Sequence, residues 1–374
     1  AYSNGVNAFL ETTENLPVEY KLLGSNPEPW EDWHSVLVYK VRNTAEGSFQ
    51  GKLWLSKLVN EIGPAGVASI TPGYQPESLL TLPPGGIYKG PQLSAIDELN
   101  SIASITDGLK STEGGSNGWV ISGDNTISGL PLLAGDSHRG LEVPNVYYQI
   151  HLSAPDLEIV GFSIPGMPFV LHFCHNENVA WGMTHGGVDT QDLFVEQLRR
   201  SKTGVDYLSG DEWISANTRE EIVKVKDGSD VKVEVIRTDN RYIIQESERS
   251  DVGLSLMDPG SCGATNWIDS AYKAMLARSA DELENALNGW TDRVNNYPYA
   301  DCEGNFGYSL KGKIPIRNEA NGWGPVRADL HQNKWRGFIK SSEMPRVRNP
   351  KIGFIVTCNQ RVVDETFPYY LTHM

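Results

Sequence analysis

Long hydrophobic runs are missing from this 374-residue sequence. Its most apolar stretch, Ile159 to Cys174, is interrupted by Ser163, Pro165, Gly166, Pro168 and His172. No segment reaches the roughly 18 uninterrupted apolar residues of a bilayer-spanning helix, so a membrane is not an expected partner. Runs of basic charge are missing too. Lys and Arg number 32 against 47 Asp and Glu, for a formal net charge of −15. With no cationic stripe to neutralise phosphates, nucleic acid is excluded as an expected partner, and the scattered acids read as a solvated surface. Cysteine is scarce: Cys174, Cys262, Cys302 and Cys358 show neither C-x-x-C spacing nor a paired histidine. That disfavours a zinc site and favours free thiols, with a Cys262–Cys302 disulfide left open. No H-E-x-x-H pattern argues for a catalytic metal. The opening Ala1-Tyr2-Ser3-Asn4-Gly5 has no initiator Met and no basic region before an apolar core, so no signal peptide is visible.

What is present changes character along the chain. Residues 1–62 have helical patterning: Pro29 precedes Trp30, Trp33 and Leu37, and Leu55, Leu58, Val59 and Ile62 recur at the spacing of one buried face before Gly63-Pro64. Residues 63–115 are rich in Pro and Gly, with Pro72-Gly73 and Pro83-Pro84-Gly85-Gly86 as turn signals and one further helix expected at Pro91 to Ile105. From residue 116 to 374 strands dominate. The runs Ile222 to Lys226 and Val231 to Val235 alternate apolar with charged residues around Asp227-Gly228, which predicts a hairpin with one wet face. A helical insert is expected at about 267–290, where Ser279 and Glu282 have capping-box spacing. Strands return from Tyr297 to Leu310 and from Ile352 to Val356. Hairpins plus separated helices give an α+β layered fold.

One stretch stands apart. Gly114-Gly115-Ser116-Asn117-Gly118-Trp119-Val120 enters a hairpin that turns at Gly123-Asp124-Asn125, and is followed by Thr126-x-Ser128-Gly129-x-Pro131-Leu132-Leu133-Ala134-x-Asp136-x-His138. His175-Asn176-x-x-Val179-Ala180-Trp181-Gly182-x-Thr184, Asp189-x-x-Asp192-Leu193-Phe194, Tyr299-Ala300-Asp301-x-x-Gly304-Asn305 and Asn349-Pro350-x-x-Gly353-x-Ile355-x-x-x-Asn359 come after it in order. This series resembles the penicillin acylase family, N-terminal nucleophile hydrolases made as one chain and cut at a Gly-Ser bond. The resemblance implies a four-layer αββα sandwich, an α chain upstream of Gly115, a spacer near the cut and a β chain starting at Ser116. It also implies a periplasmic or secreted location, and absent family segments at both ends: a strand upstream of Leu22-Leu23-Gly24 and an arginine downstream of Asn359.

The implied chemistry is hydrolysis of a small-molecule linear amide, as in beta-lactam antibiotics or N-acyl compounds, with no organic cofactor required. Such hydrolysis needs a nucleophile, a base and donors aimed at the oxyanion. An amino-terminal serine supplies the first two, because a free α-amine with a reference pKa of about 7.7 is partly neutral at working pH. By resemblance Ser116 is the nucleophile, and His138 hydrogen-bonds its amine or hydroxyl. The oxyanion donors are the backbone N–H of His185 and the side-chain amide of Asn359. His151, His172 and His175 are expected to satisfy core or loop hydrogen bonds. Asp189 and Asp192 match two carboxylates that hold a structural calcium in some penicillin acylases. Calcium takes about six to eight oxygens, and Lys52 aligns with the family's α-chain glutamate, so a bound calcium and an ion-free pair both stay open. The rival from another class is a secreted acidic β-rich binding protein with Trp119, Trp181 and Trp323 as ligand platforms.

Overall fold

The computed structural model describes residues 1–374 apart from 46, 71–113, 142, 144, 248–249, 264, 292, 361, 364–366 and 373–374. The helix expected at Pro91 to Ile105 and most of the Pro/Gly-rich region therefore lie outside the described residues. Before that gap the chain is helical: α1 (Tyr2–Thr12), α2 (Val18–Leu23), α3 (Asp32–Ala45) and α4 (Phe49–Ile70). Gly63 does break α4, with φ 73° and ψ 167°, but helix resumes beyond it. The buried faces differ from those read in the sequence. On α3, Ser35 and Tyr39 point inward while Trp33 and Leu37 are exposed; on α4, Phe49, Lys52, Leu53 and Leu55 are buried and Ile62 is exposed. Helical spacing holds in both helices, but the phase is set by what lies opposite.

Three sheets follow. The smallest orders its strands β19-β1-β2, with β1 (Gly115–Ile121) central between β2 (Leu132–His138) and β19 (Phe354–Thr357). One large sheet contains β3 (Tyr148–Ala154), β4 (Leu157–Ser163), β5 (His172–Asn176) and β6 (Val179–Trp181), with β7 (Thr184–His185), β15 (Asn295–Asp301), β16 (Phe306–Lys311) and β18 (Arg346–Arg348). The other is built on β8 (Asp192–Ser201), β9 (Gly204–Ser209), β10 (Glu212–Ser215), β11 (Asn217–Val223), β12 (Val231–Thr238), β13 (Arg241–Glu246) and β14 (Val252–Met257), with β17 (Val326–Arg327) beside β8.

Two helices, α5 (Trp267–Met275) and α6 (Ala280–Leu287), cover one face of the first large sheet. Trp267, Ala271, Leu283 and Leu287 bury against Ile159, Trp181 and Tyr299 there. The three-stranded sheet packs on the same large sheet through Val120, Leu133 and Ile355 against Ala300 and Phe306. Helix, sheet and sheet are thus stacked in the order expected of an α+β sandwich. Helix α4 lies on the second large sheet, where Phe49 and Leu53 meet Leu193, Val195, Val252 and Leu254.

Several local expectations can be judged directly. Ser279 caps α6 by accepting from the Glu282 N–H at 3.2 Å, but Glu282 turns back to the Arg278 N–H at 2.8 Å instead of completing the box. The Asp227-Gly228 hairpin forms as β11–β12, with Val223 opposite Val231. Its tip has no buried face: Ile222, Val223, Val231 and Val233 are all exposed. All four cysteines are free thiols, so no bridge joins Cys262 to Cys302. Trp181 is only 1% exposed, at the centre of the main core, which leaves no ring face for a ligand and removes it as a platform. No described helix is long and apolar enough to cross a membrane.

Candidate active site

Strand pairing assembles the site. Strand β1 runs antiparallel to β2 with Ser116 opposite Ser137 and Gly115 opposite His138. It runs antiparallel to β19 with Gly118 opposite Thr357. Continuing that register two residues carries Asn359 to Ser116. There the Ser116 backbone N–H donates to Asn359 Oδ1 at 2.7 Å. Asn359 adopts φ 64°, a left-handed turn conformation that asparagine tolerates better than most residues. Strand β7 arrives from the large sheet, and the His185 N–H points at Ser116 Oγ from 3.4 Å. Ser116 itself is buried, 5% exposed.

His138 takes a different post from the one expected. Its ring does not hydrogen-bond the Ser116 hydroxyl or nitrogen; Nε2 contacts Asn117 Nδ2 and Asp136 Oδ2, each at 3.3 Å, and its side chain is 47% exposed. The ring nevertheless flanks the Gly115–Ser116 bond. A Cβ on Gly115 would lie 3.1 Å from His138 Nδ1 and 3.2 Å from Asn359 Oδ1, so both groups crowd the carbon that only glycine leaves bare.

A small cavity opens on Ser116, with Tyr39 and Arg42 from α3, Arg139, Tyr147, His172, His185 and Arg293 among its lining residues. The Tyr147 hydroxyl accepts from Arg42 Nη2 at 3.1 Å, and its ring stacks on His172 at 4.6 Å. His172 lines this cavity and is the buried, hydrogen-bonded histidine expected from the sequence, its ring held by Ser137 Oγ. Burial, then Arg42 and Arg139, pushes its pKa down to about 3. Burial, Arg139 and Arg42 likewise push His185 down to about 4. Both imidazoles are therefore neutral at ordinary pH. The His185 ring keeps Nδ1 as an acceptor for the Gly187 N–H at 3.3 Å. His185 and Arg293 also border a much larger cavity of about 780 Å³, walled by Trp54, Leu55, Val188, Leu256 and Val294.

Asp189, which lines that cavity, and Asp192, the first residue of β8, do not fit a calcium ion. Lys52 Nζ is 2.9 Å from Asp189 Oδ2 and 2.6 Å from Asp192 Oδ1. Arg317 closes the other side, with Nη2 2.8 Å from Asp189 Oδ2 and Nε 2.8 Å from Asp192 Oδ2. Ser48 Oγ donates to Asp189 Oδ1 at 2.5 Å, and Asn321 Nδ2 and Trp335 Nε1 donate to Asp192 Oδ2 at 3.1 and 2.5 Å. Burial alone would raise the Asp192 carboxyl, but Arg317 and Lys52 outweigh it and hold the group below its usual range. Calcium demands about six to eight oxygens, whereas here two cations already face two carboxylates. Among the described residues, no cluster of three or more His, Cys, Asp or Glu could supply a metal site.

The sequence reading missed the arginines and Tyr147 because long polar side chains look like surface residues until the fold turns them inward. It also missed Asn296, whose side-chain amide donates to the His185 carbonyl at 2.9 Å. An Asn-Asn pair opening a strand has the composition of a turn, and only the β7–β15 pairing reveals its target.

The stacked sheets and helices form an α+β layered fold, with Ser116 near the head of the central strand of the smallest sheet. The same fold is found in a solved thermostable penicillin G acylase from Alcaligenes faecalis, with TM-score 0.56 and 23% identity over 69% of this chain and 47% of that one. The sequence model for penicillin amidase matches residues 1–374, and the chain belongs to that family. It is 33% identical to penicillin acylase 2 proenzyme from Pseudomonas sp. (strain SE83), covering 99% of this chain and 48% of the relative. It is 26% identical to acyl-homoserine lactone acylase QuiP from Pseudomonas syringae pv. tomato, covering 100% of this chain and 46% of the relative. The chain thus spans about half the length of these curated relatives.

Proposed function

We propose that this chain forms the reactive part of an acylase that hydrolyses a linear amide, as in beta-lactam antibiotics or N-acyl compounds, through Ser116 released as a new amino terminus. The acylase class agrees with the names of its relatives. The single observation that carries the assignment to Ser116 is its double engagement: its hydroxyl faces the His185 N–H while its nitrogen sits on Asn359.

In the proposed processing step, Ser116 Oγ attacks the Gly115 carbonyl carbon and the C–N bond breaks as an ester forms. The hydroxyl proton passes to the leaving Ser116 nitrogen, which becomes an amine. Water then hydrolyses the ester, releasing the Gly115 carboxylate. The α segment stays attached through Lys52 to Asp189 and Asp192 and through the Lys40 Nζ bond to the Gly260 carbonyl at 3.0 Å. In the catalytic cycle the α-amine accepts the proton of its own hydroxyl as Oγ attacks the substrate carbonyl. The resulting oxyanion is met by the His185 N–H and by the Asn359 amide, whose Nδ2 fork becomes the donor once the Ser116 nitrogen no longer lies in a peptide bond. Collapse breaks the C–N bond as the protonated α-amine returns its proton to the leaving amine, and water then hydrolyses the acyl ester, releasing the acid and restoring the Ser116 hydroxyl. A periplasmic or secreted location accords with this reading.

The test is turnover of a panel of chromogenic acyl anilides by the processed protein, by Ser116→Ala, and by protein whose new amine has been acylated. Wild-type turnover with both controls inactive supports the proposal. Undiminished turnover in Ser116→Ala contradicts it.

A further inference from the structure

A buried polar chain links the three strands that carry the reactive groups, and it runs in one direction. The Tyr308 hydroxyl donates to Asn296 Oδ1 at 2.8 Å. Asn296 Nδ2 donates to the His185 carbonyl at 2.9 Å and to Thr184 Oγ1 at 3.1 Å. Thr184 Oγ1 donates to Thr357 Oγ1 at 3.1 Å, and Thr357 Oγ1 donates to the Gly118 carbonyl at 3.3 Å. The chain thus starts in the large sheet, passes through β7 beside the His185 N–H, reaches β19 two residues before Asn359, and ends on β1 two residues after Ser116. Thr184, Asn296 and Thr357 are all buried. Burial also pushes the Tyr308 phenol upward, so it remains a donor at any working pH.

Packing focuses this chain on one point. A Cβ on Gly118 would lie 3.1 Å from Thr357 Oγ1 and 3.2 Å from Thr184 Cγ2, so β1, β7 and β19 approach as closely as a bare glycine allows. Strand β7 has two residues and pairs only briefly with β15. Backbone bonds continue on either side, with the Gly182 N–H on the Pro298 carbonyl at 2.9 Å and the Gly186 N–H on the Val294 carbonyl at 3.1 Å, and the side chain of Asn296 adds a restraint on the His185 carbonyl itself.

We propose that Asn296 and Thr357 are positioning residues that set the His185 N–H and Asn359 against the Ser116 hydroxyl. They touch neither substrate nor nucleophile; they act through the backbone of the donors. The inference rests on the reading of His185 and Asn359 as oxyanion donors. A displacement of about 1 Å at such a donor can cost up to roughly 10²-fold in rate.

Thr357→Val keeps shape and volume but cuts both hydroxyl links, Thr357→Ser restores them, and Asn296→Asp replaces a donating amide by a carboxylate. Each is assayed as processed protein for kcat and KM, for affinity toward an alkylboronic acid that forms a tetrahedral serine adduct, and for Tm. The expected result is a kcat lowered about tenfold or more in Thr357→Val and Asn296→Asp, KM within a fewfold, boronate affinity weakened in parallel, and recovery in Thr357→Ser. Wild-type kcat and boronate affinity in folded Thr357→Val would overturn the proposal whatever its Tm. If Asn296→Asp does not fold, the Val and Ser pair decides alone. Turnover surviving in Ser116→Ala would instead reject the underlying nucleophile assignment, so the two failures are distinguishable.

Discussion

Ser116 and Asn359 stand 243 positions apart in sequence, and the backbone N–H of the first donates to the side-chain oxygen of the second at 2.7 Å. The β1–β19 register makes this contact, since Gly118 pairs with Thr357 and Ser116 and Asn359 each lie two residues beyond that pair, in opposite chain directions. In the uncut chain Asn359 therefore holds the peptide nitrogen that processing would convert to an amine. Under the proposed mechanism one side chain would serve both the cut and the later chemistry.

Replacing it should affect both. Asn359→Ala is expected to slow processing and, in protein already cut, to lower kcat by about 10² to 10³, the usual effect of losing one oxyanion donor, while KM changes less. Steady-state kinetics on protein verified to begin at Ser116 checks this. A kcat within a fewfold of wild type would reduce Asn359 to a turn residue.

The Lys52–Arg317 pair makes a prediction about metal. Chelators and added calcium should leave Tm unchanged, because the carboxylates of Asp189 and Asp192 are already neutralised from within. Lys52→Met should destabilise by about 3 to 5 kcal/mol, the cost of removing one partner from a buried charge cluster. Thermal or denaturant unfolding with and without calcium reads both effects. A calcium-dependent rise in wild-type Tm would contradict the assignment.

Acid should weaken the fold through the site histidines. His172 and His185 are held neutral, with pKa values pushed down to about 3 and about 4. In the unfolded chain they take up protons near the ordinary value of about 6.5. Below that pH the unfolded state binds more protons than the folded one, so stability present above about 6.5 falls as pH drops toward 4 and 3. Melting curves between pH 7 and pH 4 should show this slope, and His172→Phe should flatten part of it. An unchanged slope in that variant would mean His172 titrates normally.

How much of this was legible in the sequence depended on range. The hairpin of β1 and β2, the α6 cap at Ser279 and the strand near Ile355 are local features, written in turn residues and alternation. The order of motifs also pointed to Ser116, His185 and Asn359, which the fold brings together. Lys52 was visible only as a departure from an expected glutamate; its meaning depends on Arg317, 265 positions away (317 − 52), and no periodicity joins them. Arg42, Arg139 and Tyr147 carried no signal because their side chains are long enough to serve equally well at a surface. The β11–β12 tip marks the opposite failure: alternation predicted a buried face, yet Ile222, Val223, Val231 and Val233 are exposed.

The most direct test is the amino terminus of the mature fragment. Intact-mass and terminal sequencing of the expressed precursor should find a fragment beginning Ser116-Asn117-Gly118-Trp119, and Ser116→Ala should remain a single uncut chain. A mature terminus elsewhere, or cleavage at the normal rate in Ser116→Ala, would contradict the account.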